Sequence, residues 1–202
     1  MIGDSLRGTR GILTDMYRRP DLLLQACERY VPFMIDAGVR TATVTGNPMI
    51  FIPLHKGADT FMSRDQFKTF YWPSLRKVIM GLIQEGMVPV LFAEAGYESR
   101  LDIISDVPAG KTVWWFEQTD MAKAKETVGK IACIAGNIPN ALFRAGDPED
   151  MRDYCKNVIE AAGEGGGFIL STAASLQGAR PENVKAMIDA AKEYGIYDSY
   201  LN

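Results

Sequence analysis

At 202 residues, with 47% hydrophobic and 23% charged side chains, the chain can bury one sizeable core and has the composition of a globular protein. A net charge of −3 and a pI near 5.3 leave no basic footprint, which argues against nucleic acid as a partner. No apolar run approaches bilayer-spanning length, and the opening MIGDSLRGTR lacks the apolar stretch of a secretory leader. The chain is therefore expected to be cytoplasmic and to work away from the membrane. The three cysteines (Cys27, Cys133 and Cys155) are widely spaced, no C-x-x-C is present, and His55 is the only histidine. They read as packing residues and not as a disulfide or metal framework.

In chain order, DLLLQACERYVPFMIDA (21–37) carries apolar side chains at helical spacing, with Gly38 as the expected C-cap and Pro32 as a source of bending. TATVTG (41–46) alternates like a strand and is followed by Asn-Pro, a breaker. SRDQFKTFYWPSLRKVIMGLIQEG (63–86) reads as a long helix capped by Ser63 and Gly86, with Pro73 implying a kink or two successive helices. VPVLFAE (88–94) is a nearly continuous apolar run, as expected of a strand buried on both faces. TVWWFE (112–117) is the next strand, then a helix over 120–128 for which Asp120 suits the N-cap. IACIAG (131–136) follows, and Gly146-Asp147-Pro148 opens a helix over 148–162. GEGGG (163–167) reads as a helix stop and tight turn before the strand GFILST (167–172). PENVKAMIDAAKEYG (181–195) closes the series, with Pro181 in its first turn.

Five short strands alternating with helices predict an α/β fold with a parallel sheet. There is no G-x-G-x-x-G after the first strand and no G-x-x-x-x-G-K-[ST], so the usual nucleotide-binding folds are not indicated. No linker or low-complexity tract divides the chain, and a single domain over 1–202 is expected.

Four segments together resemble the uroporphyrinogen decarboxylase superfamily. FMSRDQFKTFYWPSLRKVIMGLIQEGMVPVLF resembles the serine-started F-x-x-F-x-x-P helix that leads to the family's fifth barrel strand. CIAGNIPNALFRAGDPEDM resembles its Gly-Asn strand end followed by Gly-[Thr/Asp]-Pro-Glu. GGGFILS with RPENVKAMIDAAKEYG resembles the last strand and closing helix, and LRGTRGILTDMYRRPDLL the segment before the fourth strand. The resemblance implies a partial TIM (β/α)8 barrel: five βα units matching strands four to eight, without the N-terminal strands of the full barrel. Such a unit would need either an N-terminal half-barrel chain or homo-oligomerisation to cover its edges.

Barrel active sites lie at the C-terminal ends of the strands. That places the candidates among residues 47–55, Glu94, residues 117–120, Asn137 and residues 171–175. In the family's coenzyme M methyltransferases an H-x-C and a later Cys bind zinc. Here those positions read Phe92-Ala93-Glu94 and Ala174, so zinc is not expected and Glu94 alone could serve as ligand or acid. In the decarboxylases the tetrapyrrole is gripped by residues of the first strands, and a histidine is expected where Ala174 stands. What remains resembles the members that demethylate small methoxylated aromatics or methylamines, passing the methyl group to a corrinoid carried by a partner protein, with no cofactor held tightly by the barrel itself. On that reading Glu94 is the catalytic acid, unless it is simply paired with Arg100. His55 orients substrate or donates a proton, unless it is a structural hydrogen-bonder. Asp59 neutralises His55 or binds substrate. Asn137 offers an amide at the mouth or shapes a turn, and Trp115 or Trp114, on opposite faces of one strand, lines the pocket. The alternatives are a decarboxylase acting on a tetrapyrrole and a non-catalytic binding subunit.

Overall fold

A computed structural model describes residues 2–196. After a short π-helical turn at Ile2–Leu6, two helices, α1 (Gly8–Arg18) and α2 (Pro20–Thr45), precede the first strand, β1 (Met49–Pro53). Then come α3 (Arg64–Gln66), α4 (Trp72–Gln84), β2 (Val88–Ala93), α5 (Leu101–Ile104), β3 (Val113–Phe116) and α6 (Met121–Glu126). The series ends with β4 (Cys133–Ile138), α7 (Asn140–Ala145), α8 (Pro148–Ala162), β5 (Phe168–Thr172) and α9 (Pro181–Tyr194). The strands form one parallel sheet in the order β1-β2-β3-β4-β5, so chain order and spatial order coincide. This is the α/β arrangement of part of a TIM barrel, with β1 and β5 as the sheet edges among the described residues. Among those residues no helix is long and apolar enough to cross a membrane.

The first strand is not where alternation puts it. Residues 41–45 are the last turn of α2, and the strand is the next apolar run, MIFIP. The three threonines that mimic a strand pattern each turn a hydroxyl back along the helix. Thr41 donates to the Ala37 carbonyl (2.8 Å), Thr43 to Val39 (2.9 Å) and Thr45 to Thr41 (2.8 Å). The helix stops at Gly46, whose left-handed φ of 69° suits the C-cap. Gly38 is a packing residue in mid-helix: a Cβ there would lie 2.7 Å from Leu82 Cδ2, so glycine lets α2 approach α4. Pro73 falls in the first turn of α4, just after a π-helical turn at Phe67–Tyr71, which makes the long predicted helix a succession of shorter ones. Ser63 caps α3 by accepting from the Gln66 amide while the Gln66 side chain accepts from Ser63 N–H.

Period-2 alternation divides the sheet into two unlike faces. Ile52, Leu91, Trp114, Ile134 and Phe168 stand in one row under the helices, with Ile79 and Leu82 of α4 and Val158 and Ala162 of α8 in the same core. A second core joins Ile138, Phe143, Met151, Cys155, Ala186 and Ala190. All three cysteines are free, and burial pushes the Cys155 thiol up to about 11. The opposite row runs Pro53, Phe92, Trp115, Ala135, Ile169. Burial on both faces holds for the middle of the sheet only. At its two edges Phe51 and Ile169 are 54% and 46% exposed, since among the described residues no further strand lies beside β1 or β5.

The loops after β1 and β2 are tied by one buried cation. Arg100 is 1% exposed, pairs with Asp59, donates to the Met62 (2.6 Å) and Ala58 (3.1 Å) carbonyls, and lies over the Phe67 ring at 4.9 Å.

Val44→Lys, at a position 85% exposed, is expected to change stability by no more than about 0.5 kcal/mol. Gly38→Val is expected to cost about 1–3 kcal/mol by overpacking against α4; urea unfolding followed by circular dichroism measures both. A large loss in Val44→Lys would restore the strand assignment for 41–46. Asp59→Ala or Arg100→Ala singly is expected to cost about 3–5 kcal/mol, since each strands the partner charge. The apolar pair Arg100→Met with Asp59→Leu should cost less than either single change.

Candidate functional site

Because the strands are parallel, their C-terminal ends share one side of the sheet, and the residues just beyond them meet there. Asn47, before β1, lies at the other end, so of the predicted stretch 47–55 only Leu54 and His55 lie beyond the strand at this mouth. His55 follows β1 and Glu94 follows β2; His55 Nε2 stands 3.3 Å from Glu94 Oε1. On its other side His55 Nδ1 is 3.6 Å from Asp4 Oδ1, which is also 3.5 Å from Lys56 Nζ. The imidazole thus lies between two carboxylates. Burial raises the Glu94 pKa above the ordinary carboxylate value, His55 draws it back, and the negative charge of Glu117 pushes it up again.

Backbone-to-side-chain bonds stitch the ends of β2, β3 and β4 together. Ala95 N–H donates to Glu117 Oε2 (2.6 Å), Tyr97 N–H to Thr119 Oγ1 (2.9 Å) and Asp120 N–H to Glu98 Oε1 (3.0 Å). Asn137, itself buried, donates its Nδ2 to the Thr119 carbonyl (2.7 Å), and Tyr154 donates its hydroxyl to the Asn137 carbonyl (3.2 Å). The Tyr97 hydroxyl returns to the Leu54 carbonyl of the first loop (2.9 Å). Asp120 also caps α6 by accepting from the Lys123 amide.

The structure brings His55 and Glu94 together. It holds Asp59 away from His55, on Arg100 and on Ser99, whose amide donates at 3.2 Å and hydroxyl at 2.6 Å. Arg100 is accordingly engaged by Asp59 and not by Glu94. The Asn137 amide is spent on the turn at Thr119. Trp115 stands on the uncovered face, its ring 4.5 Å from Phe92 and 6.1 Å from Phe51, and its Nε1 donates to the Thr172 carbonyl (2.8 Å). Trp114 is fully buried under the helices. Two further residues complete the site. Asp4, far away along the chain, has no sequence signal of its own, whereas Glu117 opens the stretch 117–120 expected at the mouth and is found there, accepting the Ala95 N–H.

Beside β1 and under α2 lies a cavity of about 630 Å3. Its walls include Met16, Leu23, Val31, Met34 and Leu82, with Asp4, His55 and Lys56 as its polar end. Among the described residues no three His, Cys, Asp or Glu side chains are grouped to hold a metal ion. The donors at the mouth can instead serve as a proton-bearing carboxylate, an imidazole beside it and an aromatic wall.

The chain is similar to uroporphyrinogen decarboxylases. It is 29% identical over 207 residues to that of Neisseria meningitidis serogroup C, a match covering 95% of this chain and 54% of that protein. With the enzyme of Saccharophagus degradans it is 25% identical over 190 residues, covering 88% of this chain and 50% of the relative. The chain thus spans about half the length of the relatives it matches. Among solved structures, a methyltransferase from Methanosarcina mazei superposes with a TM-score of 0.81 at 20% identity, over 96% of this chain and 56% of that one. At that identity the likeness is one of fold. The family profile "Uroporphyrinogen decarboxylase (URO-D)" matches residues 1–194, nearly the whole chain, and the chain belongs to that family.

Proposed function

We propose that this chain forms part of a methyltransferase that takes a methyl group from a small methoxylated or methylated-amine compound and passes it to a corrinoid carried by a partner protein. The observation that carries the reading is Glu94, a partly buried carboxyl with a raised pKa at the end of a strand, in contact with His55. When present, the corrinoid supplies the methyl acceptor. The chain's own residues do the rest. Phe92, Trp115 and Phe51 offer an apolar, aromatic wall for the substrate. Glu94 in its acid form gives a proton to the leaving oxygen or nitrogen, and His55 holds that carboxyl in place and can return the proton to it. The methyltransferase from Methanosarcina mazei supports this reading by fold.

A tetrapyrrole decarboxylase is the second reading, favoured by the names of the sequence relatives. Against it, Glu94, Glu117 and Asp4 crowd the mouth with carboxylates, and the nearest cation, Lys56, stands beside Asp4. A polycarboxylate substrate would meet repulsion there. The proposal also includes further βα units, in another chain or a second copy, over the exposed Met49, Phe51 and Ile169.

The test is to incubate the purified chain, alone and with the unmatched half of a relative's barrel, with cob(I)alamin and a panel of methoxyaromatics and methylamines. Methylcobalamin formation is expected, falling by about 100-fold or more in Glu94→Gln. No turnover in either form, with both folded, would sink the reading. Uroporphyrinogen turnover in the same preparations would replace it with the second one. Because the acid form of Glu94 acts, the rate should be full at low pH and fall as pH rises through the Glu94 pKa. The midpoint of that fall should lie above the ordinary carboxylate range.

A further inference from the structure

Ala95 is the one non-glycine residue with positive φ among the described residues, at 58°. It directly follows Glu94, and its N–H belongs to the peptide whose orientation is fixed by the Glu94 ψ angle. An alanine pays a steric cost in the left-handed region, and such a residue persists only where its surroundings hold it there. The hold is visible. Glu117, arriving from the end of β3, accepts the Ala95 N–H at 2.6 Å, while the Glu117 N–H donates to the Ala93 carbonyl at 3.1 Å. The two bonds bracket Glu94 on both sides, one at the residue before it and one at the residue after. A carboxylate acceptor makes the Ala95 bond a charge-assisted one, stronger than a carbonyl acceptor would.

We propose that Glu117 is the positioning residue of the site: by holding the Ala95 N–H, and with it the left-handed turn that follows Glu94, it fixes the peptides on either side of Glu94 so that its carboxyl meets His55. The proposal rests on Glu94 as the proton-bearing group, although the geometry it describes can be tested without turnover. Glu117 acts on Glu94 through the backbone and through its charge. The charged groups that influence Glu94 are His55, Glu117, Asp4 and Lys56; Glu117 and Asp4 disfavour its ionised form, and His55 and Lys56 favour it.

Two changes separate these effects. Glu117→Gln keeps an oxygen that can accept the Ala95 N–H and removes the charge, whereas Glu117→Ala removes both. Ala95→Gly combined with Glu117→Ala makes the left-handed conformation freely available without the hold. The first readout is amide exchange of Ala95 by NMR. Protection is expected to fall roughly 10- to 100-fold in Glu117→Ala and to be largely kept in Glu117→Gln. The second is the Glu94 carboxyl titration with carbon-13-labelled glutamate, which is expected to move down in Glu117→Gln as the neighbouring negative charge is lost. The third is methyl transfer. In Glu117→Ala, kcat should fall about 10- to 100-fold with KM little changed, and the Ala95→Gly double variant should recover most of the loss. Unchanged Ala95 protection in folded Glu117→Ala, or failure of the double variant to recover turnover, would overturn the proposal. Absence of methyl transfer from every protein, native chain included, with Ala95 exchange and Glu94 titration responding as described, would overturn the functional reading and leave Glu117 in its positioning role.

Discussion

The mouth of this sheet depends on a guanidinium that has been taken out of water. Arg100 has almost no solvent contact, and burial lowers its pKa while Asp59 raises it again. A charge in that setting is tolerable only when its donors are met. Asp59, the Met62 and Ala58 carbonyls and the face of Phe67 meet most of them, and these partners lie in the loop after β1 and the turn that follows it. Arg100 itself belongs to the segment after β2. The ion pair therefore ties together two loops that run on beyond the β1–β2 ladder, behind the point where that ladder sets His55 opposite Glu94.

From that clamp the order propagates across the sheet by single hydrogen bonds. Loop two is fastened to loop three at Ala95, Tyr97 and Glu98, and loop three to β4 at Thr119. Each bond satisfies a backbone group that has no ladder partner beyond the strand ends. The electrostatic result is an acidic cluster around one imidazole, an environment that keeps a proton on a carboxyl longer than water would. Stability and chemistry draw on the same contacts here.

Much of the fold was legible from local pattern. Ser63, Asp120, Asp147 with Pro148, and Pro181 mark helix starts through chemistry that reaches at most a few residues, and the structure uses all of them. The apolar runs of β2 to β5 are legible for the same reason. Residues 41–46 misled because alternating threonines suit a strand by period, while their hydroxyls can equally bond back within a helix; which wins is decided by packing of α2 on α4, a contact 44 residues apart between Gly38 and Leu82. Glu94 stood out as a charge ending an apolar run. Asp59 also looked like a mouth residue, and its engagement by Arg100 could not be read from a separation of 41 residues. Asp4 was silent because its significance lies wholly in what it reaches, and Glu117, inside the expected stretch 117–120, carried no local mark of its hold on Ala95.

Trp115 has a consequence for how the open face can be observed. Of the three tryptophans, Trp72, at the start of α4, and Trp114, on the helix-covered face of β3, are buried, whereas Trp115 is partly exposed on the uncovered face, with its indole N–H bonded to the Thr172 carbonyl two strands away. One chromophore thus touches both the aromatic wall and the far edge of the sheet. A molecule settling on that face, or a chain docking against β5, would change the polarity around a single indole while the other two stay dark to the event. The protein carries its own fluorescent reporter on that face.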